Sequence, residues 1–120
     1  MAHQVSPLAP AAFPELPPVG GVKLAAAETG IRYKNRPDVL LAVLDPGTTV
    51  AGSFTRSKSR SAPVDWCVKN LAGGSARAVV INAGNANAFT GKAGVATVTA
   101  VAKSAAKLLS CKPSDIFQAS

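Results

Sequence analysis

The sequence predicts an α/β fold in which a mostly antiparallel sheet carries a helix on one face. Two short, nearly continuous apolar runs, at 39–44 and 76–81, are typical of buried strands. Apolar residues recur at three- and four-residue steps over about 92–110, which predicts an amphipathic helix. Much of the 48% hydrophobic fraction is alanine, so we expect this helix to pack close to the sheet and to leave apolar surface for the rest of a larger protein.

The first half of the chain is expected to form an antiparallel meander behind an extended start. Residues 1–18 contain five of the nine prolines. Because proline fixes φ and lacks an N–H, this segment is predicted to be an extended lead-in to a domain at 19–120. Apolar and β-branched runs between turn residues predict strands at 22–27, 31–34, 39–44 and 48–55, the last two joined by an Asp45-Pro46-Gly47 turn.

The second half of the chain is expected to alternate helices and strands. A short helix is predicted at 64–71, because Pro63 suits a first helical turn and Gly73 ends the apolar pattern. The remaining predicted elements are a strand at 76–81, the helix at 92–110 and a strand at 115–119.

The net charge of +7 at pH 7 favours anionic partners in general. The basic residues are scattered except for one cluster, Arg56, Lys58 and Arg60. A basic nucleic-acid-binding module that uses this cluster and Lys92 is therefore an alternative function. Since no aromatic side chains are interleaved with the cluster to stack bases, we favour a solvated surface and expect no nucleic-acid partner.

No metal or cofactor site is predicted. Cys67 and Cys111 lack CxxC spacing, and the single histidine, His3, is far from them in sequence. Free thiols in a reducing compartment are the simpler expectation, while a disulfide stays open. The N-terminus lacks the pattern of a signal peptide and no apolar run reaches the length of a membrane span, so we expect a cytoplasmic protein without a membrane partner.

The loop between the strand at 76–81 and the helix at 92–110 carries the candidate chemistry. Its asparagines can close tight turns and tolerate positive φ. Thr90 and Gly91 fall at the helix entrance, where N–H groups lack intrahelical partners and the helix dipole adds positive charge. A threonine hydroxyl beside a glycine N–H offers two donors to one oxygen, which is how a developing oxyanion is stabilised.

Two other interpretations of this loop stay open. Thr90 could be no more than a helix N-cap, with the asparagines forming only a turn. The segment from Ala86 to Ala93 also approaches the phosphate-loop pattern GxxxxGK[ST], but alanine replaces both the first glycine and the Ser/Thr that would hold magnesium. A nucleoside triphosphatase is therefore rejected, and a looser anion-binding loop is kept.

Five stretches of the chain keep the order and spacing of a known set of motifs. They are Gly20–Leu24, Asp45–Gly52, Phe54–Arg56, Ser61–Val64 and the specific loop NAGNANAFTGKAG at 82–94. Together they resemble the bacterial ornithine acetyltransferase family, the bifunctional glutamate N-acetyltransferase and amino-acid acetyltransferase enzymes of arginine biosynthesis. The resemblance covers nearly all of the chain after the proline-rich start.

The resemblance implies a precursor that cuts itself into α and β chains, with a threonine at the new β N-terminus as nucleophile. Members of the family move an acetyl group from N-acetylornithine to glutamate through an acetyl-enzyme, and some also use acetyl-CoA. A threonine and a glycine of the family's loop stabilise the oxyanion, and they match Thr90 and Gly91. The implied architecture is a layered αββα fold.

The nucleophile and the cleavage point that the resemblance implies belong to a later motif, which these 120 residues lack. The chain is therefore expected to be the N-terminal part of the α chain, to supply the oxyanion hole within an α2β2 heterotetramer with the β chain, and to be inactive alone. Thr48, Thr49 and Thr55 are interpreted as strand residues. A self-processing peptidase of the same architecture is a further alternative, since the loop's chemistry would serve it as well.

Overall fold

A computed structural model describes residues 5–120 and places four strands in one sheet, in chain order. The strands are β1 (Val22–Ala27), β2 (Val39–Leu44), β3 (Ala78–Asn82) and β4 (Ile116–Ala119). β1 pairs with β2 and β2 with β3 in antiparallel fashion, whereas β4 runs parallel to β3. The predicted α/β fold with a mostly antiparallel sheet is confirmed.

Two helices cover part of this sheet. They are α1 (Ala62–Leu71) and α2 (Gly91–Leu109), and a 3-10 turn at Pro113–Asp115 leads into β4. Small side chains at four-residue steps form the buried stripe of α2, namely Gly94, Val98, Ala102 and Ala106. This stripe lets α2 pack directly on Ala78 and Ile116. The expected alanine-lined helix is present, and Val95, one of the apolar residues of its periodic pattern, lies outside the buried stripe and is 59% exposed.

Helix α1 closes the outer edge of β4. The Trp66 indole Nε1 donates to the Ile116 carbonyl at 2.8 Å, and the Cys67 Sγ donates to the Gln118 carbonyl at 3.3 Å. The same sulfur accepts the Gln118 N–H at 3.4 Å. Because a further strand would need these backbone groups, α1 blocks edge-to-edge pairing at β4.

The proline-rich start has no regular structure over the part that can be described. Residues 5–18 contain no helix or strand and lie exposed, and the first four residues of the predicted lead-in fall outside the described range. The domain boundary after residue 18 stays a prediction. Of the helices in the described part of the chain, even the longest lacks the apolar stretch that crossing a membrane requires.

Two of the predicted strands, at 31–34 and 48–55, are wrong. β1 pairs with β2 over its whole length, so residues 28–38 become the loop that joins the two strands. β3 takes the other edge of β2, so neither edge of β2 is left for the segment at 48–55 to join as the returning strand of a hairpin. Within the described chain that segment forms one isolated bridge, between Thr49 and Ser75.

Asp38 explains why the loop at 28–38 folds away from the sheet. Its side chain is buried, at 3% exposure. The carboxylate accepts the Thr29 N–H at 2.7 Å, the Thr29 hydroxyl at 2.8 Å and the Ile31 N–H at 2.8 Å. N–H groups that bind this carboxylate cannot enter a strand ladder, so the loop is organised around one charge.

Acid is expected to loosen this loop. Hydrogen bonds, led by the one from the Thr29 N–H, outweigh the opposing effect of burial and hold the pKa of Asp38 below its usual value. Such a carboxyl stabilises the fold above its unfolded pKa of about 3.9, and the stabilisation is lost as pH falls through the lower folded value. Asp38→Asn is therefore expected to lower stability at neutral pH and to flatten the loss of stability in acid.

Urea unfolding of the complete protein at pH values from 7 to about 3 measures both effects, because the unfolded pKa lies within that range. Parallel curves for the parent protein and Asp38→Asn would contradict the role given to this carboxylate.

Candidate functional site

The loop between β3 and α2, residues 83–90, enters the helix with backbone of alternating hand. Phe89 and Gly91 have φ of 56° and 57° in the left-handed region, and Thr90 between them has φ of −99°. Successive residues of alternating hand form a concave nest of N–H groups that suits an anion. A phenylalanine with positive φ is also strained, and such strain concentrates at functional sites.

Thr90 occupies the N-cap position of α2 without acting as a cap. Its side chain makes no capping hydrogen bond to the helix, and its hydroxyl donates to Asn87 Oδ1 instead. The first bond of the helix is the Gly94 N–H to the Thr90 carbonyl, at 3.4 Å. The N–H groups of Gly91, Lys92 and Ala93 precede this bond, so the side chain that would ordinarily satisfy one of them is turned away.

Gly94 makes room for this arrangement. A Cβ at this position would collide with Thr90 Oγ1 and Asn87 Oδ1, and would lie 2.7 Å from Thr90 Cβ. The Asn87 Nδ2 donates to the Gly94 carbonyl at 3.0 Å. Sequence reasoning missed Gly94, although a glycine in the first turn of an alanine-rich helix is the signal that could have identified it.

Three structural elements hold the loop in place. The Asn87 N–H donates to Ser120 Oγ at 2.9 Å, and the same hydroxyl donates to the Asn85 carbonyl at 3.0 Å. The Ala62 N–H at the start of α1 donates to the Asn87 carbonyl at 3.2 Å. Asn82 at the end of β3 donates from Nδ2 to the Asn85 carbonyl at 3.1 Å. The loop is therefore fixed on β3, α1 and the end of β4.

The loop at 28–38 forms a second wall beside the site loop. Tyr33 lies so close to Gly84 that a Cβ there would approach the Tyr33 Cε2 to 3.0 Å. The Arg36 guanidinium lies 4.6 Å from the centre of the Tyr33 ring, and the Arg32 guanidinium lies 5.7 Å from it. The segment that sequence reasoning placed in a strand thus supplies an aromatic and basic flank.

Thr90 borders two cavities. The larger, of about 490 Å³, is lined by Thr90 together with apolar side chains such as Val80, Val98 and Val101. The second, of about 460 Å³, includes Gly91, Lys92 and Arg60. Both volumes fall within the range of small-molecule sites. The two predicted site residues therefore face spaces that a small acyl compound could enter.

The basic cluster of the sequence does not act as a unit at this site. Arg60 lines the second cavity, and its Nε pairs with Asp65 Oδ1 at 2.9 Å. Arg56 and Lys58 do not line either cavity. Of these three basic side chains, one therefore borders the candidate site, and it is paired with a carboxylate.

The cysteines take no part in the loop. Both thiols are free, and burial raises the pKa of each above its usual value. Among residues 5–120, no three side chains of His, Cys, Asp and Glu come together in a group that could hold a metal ion.

The chain is similar in sequence to known proteins of one family. The sequence model of the ArgJ family matches residues 23–120. The chain is 61% identical to the arginine biosynthesis bifunctional protein ArgJ of Bradyrhizobium diazoefficiens, and 56% identical to the protein of the same name from Agrobacterium fabrum. Both alignments cover 100% of this chain and 29% of the relative, so the chain spans less than a third of the relatives' length.

Two solved structures share the fold. The ornithine acetyltransferase of Mycobacterium tuberculosis, complexed with ornithine, matches with a TM-score of 0.77 and 33% identity, over 84% of this chain and 56% of that one. The bifunctional protein ArgJ of Bacillus halodurans matches with a TM-score of 0.71 and 25% identity, over 83% of this chain and 53% of that one. These neighbours have the layered αββα architecture that the resemblance implied.

Proposed function

The chain belongs to the ArgJ family, and we propose that it is the N-terminal part of the α chain of a cytoplasmic acyltransferase of arginine biosynthesis. The complete enzyme moves an acetyl group from N-acetylornithine to glutamate through an acetyl-threonine intermediate. The chain supplies the oxyanion hole through the Thr90 hydroxyl and the Gly91 N–H. The nucleophilic threonine lies outside these 120 residues.

One observation carries this proposal most directly. Thr90 stands at the entrance of α2 with its hydroxyl diverted from the helix, beside N–H groups that precede the first helical bond. A helix entrance that is left uncapped can offer its N–H groups to a ligand. Phe89, Thr90 and Gly91 alternate in hand, which is the backbone pattern in which successive N–H groups form an anion-binding concavity. Such an arrangement stabilises negative charge that forms on one oxygen.

The chemistry proceeds in two steps. The threonine oxygen attacks the acetyl carbon of N-acetylornithine, its proton passes to the leaving amine, and the C–N bond breaks to release ornithine. The α-amine of glutamate then attacks the acetyl-threonine ester and loses a proton, which returns to the threonine oxygen as the ester C–O bond breaks. In each tetrahedral intermediate the carbonyl oxygen carries negative charge, and Thr90 and Gly91 donate to it.

The proposed partner is a β chain from the same precursor, in an α2β2 heterotetramer. The exposed apolar side chains of this chain, such as Leu24 and Leu108, are consistent with a larger assembly. Acetyl-CoA is proposed as a second acetyl donor, and no bound cofactor is proposed. This chain alone lacks the nucleophile and is proposed to be inactive.

An acetyl-transfer assay tests the proposal. The complete protein, incubated with N-acetylornithine and glutamate, should form N-acetylglutamate and ornithine in equal amounts, and this chain alone should form neither. A parallel reaction with acetyl-CoA and glutamate tests the second donor. No transfer by the processed complete protein would overturn the proposal. Peptide cleavage in its place would favour the self-processing peptidase, and salt-sensitive nucleic-acid binding would favour the basic module.

A further inference from the structure

We propose that Asn87 is a positioning residue for acetyl transfer, and that it prevents Thr90 from capping its own helix. An N-cap threonine ordinarily accepts an N–H from the first helical turn. Here the Thr90 hydroxyl makes no such bond and donates to Asn87 Oδ1. The inference rests on the proposed role of Thr90 and Gly91, and adds the residue that turns the Thr90 hydroxyl away from the helix and leaves the first-turn N–H groups without a side-chain cap.

The orientation of the Asn87 amide follows from its second contact. Its Nδ2 donates to the Gly94 carbonyl at 3.0 Å. A flipped amide would place two oxygens against each other at that position, so the network requires Oδ1 to face Thr90. The absence of a side chain at Gly94 gives both groups the space they occupy.

The backbone of Asn87 is held as firmly as its side chain. Its N–H donates to Ser120 Oγ at 2.9 Å, and its carbonyl accepts the Ala62 N–H at 3.2 Å. All four polar groups of this half-buried residue therefore have partners, and these come from three separate parts of the chain: the start of α1, the start of α2 and the end of β4. A side chain fixed in this way can hold the Thr90 oxygen in one place.

During the reaction the Thr90 hydroxyl exchanges its bond to Asn87 for one to the developing oxyanion. At rest the single proton of the Thr90 hydroxyl lies on a neutral acceptor, Asn87 Oδ1. When negative charge develops on the acyl oxygen, the proton can turn toward it, because a hydrogen bond to an ionised group is roughly twice as strong as one to a neutral group. The Thr90 oxygen itself need not move, so little reorganisation is required during the reaction.

A double-mutant cycle in the complete protein tests this role. Asn87→Ala should lower kcat about 10²-fold, the loss that a small misplacement of a catalytic group produces. KM should stay within a few-fold of the parent value, and the thermal midpoint should stay close to the parent because the released hydroxyl can cap α2. If Asn87 acts through Thr90, the double variant with Thr90→Ala should be no slower than the slower single variant.

The outcomes separate the two proposals. Losses that multiply in the double variant, or an Asn87→Ala enzyme within about threefold of the parent, would overturn the role of Asn87 and leave that of Thr90 intact. A Thr90→Ala enzyme with the parental rate would overturn the proposed oxyanion hole itself.

A second variant tests the same contact through its pH dependence. Asn87→Asp keeps the acceptor for Thr90, but its carboxylate would hold the hydroxyl proton more tightly and repel the oxyanion. Its kcat relative to the parent at the same pH should rise as pH falls through the pKa of the new carboxyl. A ratio that stays flat with pH would overturn the proposed contact. Because this change also sets an oxygen against the Gly94 carbonyl, urea unfolding is measured at each pH beside kcat, and a ratio that only follows the folded fraction would likewise overturn the contact.

Discussion

Replacing Thr90 by alanine in the complete protein is expected to lower kcat for acetyl transfer by about 10²–10³-fold, the loss that follows removal of one oxyanion donor. The change removes the hydroxyl and leaves the Gly91 N–H in place. Some transfer should therefore persist. KM for N-acetylornithine should change little, because the lost bond forms with the charge of the transition state. Steady-state kinetics with N-acetylornithine and glutamate measure both constants.

Thr99→Ala is the matched control. Thr99 lies on the same helix, and its hydroxyl donates to the Val95 carbonyl at 2.8 Å. It lines neither cavity at Thr90, so this variant should retain the parental kcat. A Thr90→Ala enzyme with the kcat of the control would show that the hydroxyl has no role in transfer. A raised KM with unchanged kcat would assign the hydroxyl to ground-state binding.

Adding one methyl group at Gly94 is expected to displace the side chains of Thr90 and Asn87 and so to disturb the same site. In an ordinary helix, glycine to alanine stabilises by about 0.5–1 kcal/mol. Here the new Cβ would collide with Thr90 Oγ1 and Asn87 Oδ1, and overpacking costs about 1–3 kcal/mol. The steric cost should exceed the helix propensity. Gly94→Ala should therefore destabilise the protein and, by displacing Thr90, lower kcat about 10²-fold or more.

Gly52→Ala supplies the control for this prediction. No heavy atom lies within 4 Å of a Cβ built at Gly52, so the same chemical change should leave kcat and stability near the parent values. Urea unfolding and steady-state kinetics on both variants separate the two effects. A Gly94→Ala protein more stable than the parent and equally active would show that Thr90 and Asn87 move aside without loss.

The elements with a strong local pattern could be predicted from the sequence. The apolar run at β2 and the periodic pattern of α2 are properties of neighbouring residues, and both elements formed where expected. The segment at 31–34 has strand composition as well, yet Asp38 binds the Ile31 N–H and holds the segment in a loop. The segment at 48–55 failed for another reason, since both edges of β2 were already paired. A local sequence pattern reveals neither the side chain that binds the Ile31 N–H nor the strands that already pair with β2.

Part of the candidate site could likewise be predicted from the sequence, and part depends on contacts made by the fold. The position of Thr90 and Gly91 at a helix entrance follows from the order of strand, loop and helix. The direction of the Thr90 hydroxyl does not, because it depends on Asn87 and on the space at Gly94. The support from Ser120 joins residues 33 positions apart in the chain. Contacts of that separation are set by the fold, and sequence spacing alone does not reveal them.

The Cys67 thiol bridges α1 and the outer edge of β4. Its chemical modification can therefore report the local unfolding of this edge. While α1 is docked, burial raises the pKa of this thiol, so little of the reactive thiolate exists at neutral pH. Alkylation must then wait for α1 to detach. The modification rate of Cys67 therefore counts how often this edge opens, without any engineered probe.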